Sequence, residues 1–263
     1  MAVYNEEERI LDTVKSVYEW IDEAVIVDGT SSDNTVAVLK KFDTDKKIKI
    51  LIEDNPANFI VNKQKALDAC SGDWILELDA DEIVTADLKA EIQNILKDPG
   101  EKVAFWMPRL NHFLGSPLTK GGQYPDYTLR LYKRGHARFP VVSVHDQVEI
   151  DGEKTTKANV IVNEKIGQLT NPLLHYPYKD LVSFFRKWAQ YASFDGDDLY
   201  KKGVRPSFKN AVIYLKLKPI HWFLLTYFRH RGYVDGFAGF MFSLLSGLRF
   251  WVMYMQIVSR AKH

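Results

Sequence analysis

Apolar positions in the first 110 residues switch repeatedly between a helical and a strand period. Ile10, Val14, Val17 and Ile21, with Leu11 and Tyr18 beside them, recur at helical spacing and predict a helix within 6–21. Residues 24–27 form a short apolar run closed by Asp28-Gly29, the pattern of a buried strand and its turn. The same alternation continues with a helix over 34–41, a β-branched strand over 47–52, a helix over 62–70 and a strand over 74–78. Leu88, Ile92, Ile95 and Leu96 then mark a helix face that stops before Pro99-Gly100. Strands alternating with helices across short connections predict a parallel sheet covered on both faces, with ligands at the carboxyl ends of its strands.

The period changes after residue 102. Short strands are predicted at 103–107, 128–132, 147–150 and 159–162, with turns at Gly121-Gly122 and Asp151-Gly152, and read as an antiparallel annex to the sheet. Beyond Tyr176 the pattern is helical: 181–194 is amphipathic, and 208–228 and 236–258 are apolar, aromatic and flanked by Lys and Arg. The expected division is an α/β domain over 1–175 and an amphipathic helical extension over 176–263. Met1–Tyr4 resembles the tail of a strand of ordinary length, about 5–6 residues, so several residues upstream are expected.

Composition narrows the class. Of 263 residues, 46% are hydrophobic and 26% charged, enough for a real core, which excludes disorder, collagen and a small disulfide scaffold. Cys70 is the lone cysteine, so neither an internal disulfide nor a Cys-rich zinc site can form, and a reducing compartment fits. The net charge of +1 hides an asymmetry: residues 1–175 carry 21 Lys/Arg against 29 Asp/Glu, and residues 176–263 carry 14 against 5. Those last residues also hold 21 of the 34 aromatics, which points to an anionic partner for the extension. The opening segment, through Glu6-Glu7-Glu8, lacks the basic region of a signal peptide. The longest uncharged run of the extension, residues 236–248, is shorter than the roughly 20 residues a spanning helix needs. Aromatic, basic, amphipathic helices of this kind suit the plane of a membrane interface.

The sharpest chemical signal is Leu76-Glu77-Leu78-Asp79-Ala80-Asp81-Glu82. In extended chain, residues two apart point to one side, so Asp79 and Asp81 are expected to aim at a common point. Mg²⁺ is held by one or two carboxylates together with phosphate oxygens, so the pair suits a metal–diphosphate. The same acids also suit the N-terminus of the following helix, and the pair alone does not decide. Asp28, at a predicted strand end before Gly29-Thr30-Ser31-Ser32-Asp33, suits base or ribose hydrogen bonding but equally a turn. His112, His136, His175 and His221 show no paired-ligand spacing and read as ordinary histidines.

In combination these segments are more specific. Tyr4-Asn5-Glu6-Glu7, Ile26-Val27-Asp28-Gly29-Thr30-Ser31-Ser32-Asp33, Gly72-Asp73-Trp74-Ile75-Leu76 and Asp79-Ala80-Asp81-Glu82 follow in order. The chain thereby resembles the family 2 glycosyltransferases of GT-A (Rossmann-like) fold. Tyr124-Pro125-Asp126-Tyr127-Thr128-Leu129-Arg130 and Val144-His145-Asp146 resemble the subgroup containing lipopolysaccharide core β-1,4-glucosyltransferases. The resemblance implies inverting transfer from a nucleotide-sugar donor, a UDP-sugar, to a glycan or lipid-linked acceptor of the cell envelope, with Mg²⁺ or Mn²⁺. It implies that Tyr4 and Glu6 line the nucleotide pocket, that Asp28 binds uracil or ribose, and that Lys63 and Asp79 contact the donor. Asp81, with Asp79, would ligate the metal. Asp146 would be the general base, with Asp126 competing, and Arg130 and His145 would face the diphosphate and acceptor. Lys63-Gln64 replaces the commoner Arg-Asn, and Asp146 replaces the commoner Glu.

Three rivals fit less well. A phosphohydrolase built on Asp79-x-Asp81 wants Thr or Val where Ile83 stands, and a nucleotidylyltransferase wants a basic Gly-rich opening. A non-catalytic membrane- or nucleic-acid-binding protein leaves the spaced acids unexplained. The aromatics of 181–194 read as core, so no nucleic acid is expected. A cytoplasmic enzyme, peripheral on the inner face of an anionic membrane, is the resulting expectation.

Overall fold

The computed structural model describes residues 1–141, 147–156 and 160–262. They form two compact units: Met1–Arg109 with Asp126–His175, and Leu110–Pro125 with Tyr176–His263.

The first unit opens β1 (Ala2–Val3), α1 (Ile10–Val17), β2 (Ala24–Asp28), α2 (Thr35–Phe42), β3 (Ile48–Ile52) and α3 (Ile60–Asp68). β4 (Trp74–Leu76), β5 (Glu82–Val84) and α4 (Ala86–Ile95) follow. Ile10, Val14 and Val17 are buried at helical spacing and fix the inner face of α1. The Thr85 hydroxyl caps α4 by accepting the Leu88 N–H. β1, β2 and β3 pair in parallel in that order. Every residue of β2 is buried, as expected of a strand covered on both faces.

The strands that follow are β6 (Ala104–Phe113), β7 (Ser116–Pro117), β8 (Asp126–Lys133), β9 (Ala137–Arg138), β10 (Glu149–Ile150), β11 (Glu153–Lys154), β12 (Ile166–Gln168) and β13 (Leu173–His175). Two of the strands expected as an annex, β6 and β8, are in fact the spine of the second sheet, ordered β4-β8-β6-β13-β5, whereas β10 pairs antiparallel with β9 and β11 in a small sheet of its own. β4, β6 and β8 pair antiparallel, as do β5 and β13, so the sheet is mixed and not simply parallel. β6 runs well past Met107 because Pro108 and Arg109 still find partners, opposite Tyr127 and Asp126. Of the strand expected at 159–162, the described residues 160–162 form none, and β6 pairs in parallel with β12. Gly167 permits this, since a Cβ there would lie 2.5 Å from the Phe105 ring. Trp106, Leu129, Tyr132 and Ile166 form the core on one side, and Leu88, Ile92, Phe105, Leu131 and Leu173 another.

The second unit contains α5 (Leu181–Lys201), α6 (Phe208–Val212), α7 (Lys218–Leu224) and α8 (Gly236–Arg260). A capping box of Asp180 and Ser183 starts α5. α6 and α7 belong to one continuous helical stretch, widened to π geometry over Ile213–Leu217 and Leu225–Arg229. The segment Gly232–Arg260 is long and apolar enough by length and composition to cross a membrane, a property that the uncharged run alone understated.

Candidate functional site

The site of the first unit is built where β2 and β4 finish. β2 delivers Asp28, 1% exposed, at its carboxyl end. Its carboxylate accepts the Ser31 N–H at 2.9 Å and the Ser31 hydroxyl at 2.5 Å. Ser31 Oγ in turn accepts the Asn5 N–H at 2.9 Å, and the Asn5 side-chain oxygen accepts the Ser32 N–H at 2.8 Å. Glu6 N–H donates to Thr35 Oγ1 and Glu7 Oε2 accepts the Asn34 N–H, each at 2.8 Å. The loop after β1 and the loop after β2 are therefore laced together. Thr30 sits at φ +61°, an uncommon conformation for a β-branched residue. Tyr4 is 46% exposed beside these loops.

The acid run behaves differently from its expected spacing. β4 ends at Leu76, so the two-residue alternation does not continue to Asp81, and the carboxylates of Asp79 and Asp81 meet different partners. Asp79 lies between two cations: Lys63 Nζ at 2.6 Å and the Arg130 guanidinium. Burial alone would raise its pKa, but Arg130 and Lys63 outweigh burial and hold it well below the usual carboxylate value. Arg130 also reaches Glu77 at 2.5 Å and Glu82 at 2.9 Å, and Lys63 reaches Glu77 at 2.9 Å. Glu82, fully buried, accepts the Asp79 N–H at 2.9 Å and so fixes the acid loop from behind. Arg109 closes the cluster, with Asp126 at 2.5 Å and Glu82 at 3.5 Å. Three cations thus face four carboxylates in one nearly buried network.

Asp81 stands in a second set. Its oxygens lie 3.7 Å from Arg9 Nη1 and 3.7 Å from His175 Nε2, while Arg9 binds Glu6 at 2.7 Å. Burial, reinforced by Arg109, pushes the His175 imidazole down to about 3, so it is neutral near pH 7. Glu6 and Asp81 are thereby linked through Arg9, and Asp28 joins them through Ser31 and Asn5.

Lys63, Glu77, Asp79 and Arg130 line a cavity of about 160 Å³, with Phe59, Thr128 and Gln147. A larger cavity, about 720 Å³, lies at the opposite end of the strands, walled by Ala24, Val25, Trp74, Ile75 and Ile92. Lys63 and Glu77 touch both cavities; Asp28 and Asp81 line neither. Asp146 and His145 lie outside the described residues. Among the described residues no group of three or more His, Cys, Asp or Glu is arranged to hold a metal.

Sequence reasoning passed over Glu77, Glu82, Arg9 and Arg109 and set His175 aside. Glu77 carried a signal, since it precedes Asp79 by two residues. Arg109 carried none, because strand pairing over a long separation brings it in.

A family model for glycosyl transferase family 2 matches residues 1–142. A lipopolysaccharide core biosynthesis glycosyltransferase of Rhizobium meliloti, LpsC, is 26% identical over 97% of this chain and 89% of its own. An uncharacterized glycosyltransferase of Rickettsia typhi is 28% identical over 92% of this chain and 79% of its own. The mannosyltransferase PcManGT of Pyrobaculum calidifontis, solved with GDP-Man and Mn²⁺, covers 97% of this chain and 84% of its own, with 14% identity and a TM-score of 0.50. Its likeness extends to the GT-A fold. With more than half of the chain matched, including the loops that carry Asp28, Asp79 and Asp81, the protein belongs to glycosyl transferase family 2.

Proposed function

We propose that this glycosyltransferase is inverting and metal-dependent. It takes a sugar from a nucleoside-diphosphate donor, a UDP-sugar, and passes it to a glycan or lipid-linked acceptor in cell-envelope polysaccharide synthesis. The observation that carries the reading is the lacing of the Asp28 loop, Glu6, Arg9 and Asp81 at the carboxyl ends of the strands, where open α/β sheets bind ligands. The similarity to LpsC supports an envelope acceptor, and a cytoplasmic enzyme peripheral on the membrane is part of the same proposal.

Asp28 and Glu6, with Tyr4 as a partly exposed ring, bind the nucleoside. Of the acid pair, Asp81 is the better metal ligand. A neutral His175 beside it offers a nitrogen donor, and the remaining positions suit diphosphate oxygens. Asp79, held between Lys63 and Arg130, instead receives the donor sugar. Bound Mg²⁺ or Mn²⁺ supplies Lewis-acid stabilisation of the departing diphosphate.

An acceptor hydroxyl attacks the anomeric carbon on the face opposite the diphosphate, and a carboxylate takes its proton. Asp146 is the proposed base, with His145 beside it on the acceptor side. Asp126 is the competitor, its Oδ2 accepting both the Nε–H and an Nη2–H of Arg109. A positioned base contributes on the order of 10²–10⁴-fold.

The test is a panel of nucleotide sugars with and without Mn²⁺, read by nucleoside diphosphate release, with the product anomer assigned by NMR. Release from a UDP-sugar only with metal, and an inverted product, are expected. Metal-independent release, or Asp81→Ala with full metal-dependent turnover, overturns the metal assignment. Asp146→Asn at near-full turnover moves the base to Asp126.

A further inference from the structure

The second unit carries a surface the transfer chemistry does not use. Along the helical stretch from Phe208 to Arg229, the exposed apolar side chains are Phe208, Leu215, Leu217, Ile220, Leu224 and Phe228. From Leu217 to Phe228 they recur at steps of three or four residues. At about 3.6 residues per turn such steps keep the series on one side of the helix. α8 extends the same surface. Trp251, 46% exposed, donates its indole N–H to the Leu215 carbonyl at 2.9 Å. Phe240 packs against Phe223 and Tyr227.

Charge complements this face. Residues 199–263 contain 11 Lys and Arg but one acid, Asp235. That acid is turned inward, accepting the Thr119 hydroxyl and the N–H groups of Thr119 and Lys120. Lys209, Lys216, Arg229 and Arg231 are exposed beside the apolar series. Phe208 at 87% and Phe237 at 71% exposure are too large and too open to be ordinary surface residues.

We infer that this face docks in the plane of an anionic lipid bilayer, its apolar side chains entering the acyl boundary and its cations meeting the headgroups. Leu217, Ile220, Leu224 and Met255 offer aliphatic bulk, which suits acyl chains and cannot stack on nucleobases. α8 does not cross, because its other side is occupied: Met253, Tyr254 and Ile257 are buried against Ala192 and Tyr214. This inference stands whether or not the donor, metal and base assignments hold.

The experiment is flotation of the full chain with vesicles of phosphatidylcholine alone and of phosphatidylcholine with phosphatidylglycerol, at low and high salt. Strong flotation with the anionic vesicles, weakened by salt, is expected. The variants F208S/I220S/F228S and K209E/K216E/R229E should each lower partitioning roughly tenfold or more, with circular dichroism showing an unchanged helix content. Should the first variant misfold, the charge variant alone decides, since its residues are exposed. Complete recovery in the soluble fraction at low salt overturns the proposal, as does flotation unmoved by the charge variant. Resistance to alkaline carbonate extraction would mean that α8 spans. A dimer abolished by F208S/I220S/F228S, with no flotation, would make the face an interface between two copies.

Discussion

Removing the Arg130 guanidinium would leave Glu77, Asp79 and Glu82 without the cation they share. Breaking a buried pair from one side costs about 3–5 kcal/mol, since the surviving charge stays buried. Arg130→Met is therefore expected to lose about that much stability in urea unfolding, and Arg130→Lys to recover only part, lacking the fork. A loss below about 1 kcal/mol would show the cluster to be solvated. Glu77 gives a pH signature. Burial would raise its pKa, but Arg130 and Lys63 outweigh burial and lower it. The folded state then holds this proton less readily than the unfolded chain. The stability it adds is present above about pH 4.3 and lost as pH falls through the folded value. Glu77→Gln should flatten the acid limb of the stability curve below about pH 4; an unchanged slope would assign that limb elsewhere. The acid run was legible in the sequence because its residues are contiguous. Of its cations, Lys63 and Arg130 were reached only through the family resemblance and Arg109 not at all, as they arrive from α3, β8 and β6.

At the level of elements, glycines mark where the second unit is tightest. A Cβ on Gly239 would lie 2.0 Å from the Gly232 carbonyl oxygen, and one on Gly247 2.7 Å from that of Pro219. Both neighbours are backbone and cannot swing aside. Gly239→Ala should cost at least about 1–3 kcal/mol in thermal or chemical unfolding, and Gly203→Ala, with open space around it, should lack that steric part. Equal costs would mean that backbone conformation, not packing, sets the effect. Most helices were legible from periodicity, as with Ile10, Val14 and Val17. The length of β6 was not, since Pro108, Arg109 and Asn111 interrupt its apolar run and only cross-strand partners sustain it. The pairing of β12 with β6 was hidden for a similar reason: it turns on Gly167 giving room to the Phe105 ring. π turns leave no period of their own to read.

For the molecule as a whole, the change from acidic to basic sequence was the most legible feature, because charge sums need no geometry. Which large apolar side chains stay outside was not legible, since Phe208 and Phe250 look alike in a sequence and only packing separates them. The helices of the second unit meet through Gly196, Gly239, Gly247 and Ala192, while Phe208, Phe237 and Ile220 face outward. Small residues close its helix contacts, while several bulky apolar side chains stay in the open beside a core that holds Phe184, Tyr214, Phe250 and Tyr254. Purified in plain buffer, the protein should therefore clump through those outer rings into multimers that grow with concentration. A mild detergent should disperse them with no change in circular dichroism, as light scattering would record. Particle size in plain buffer would then be a property of the solvent.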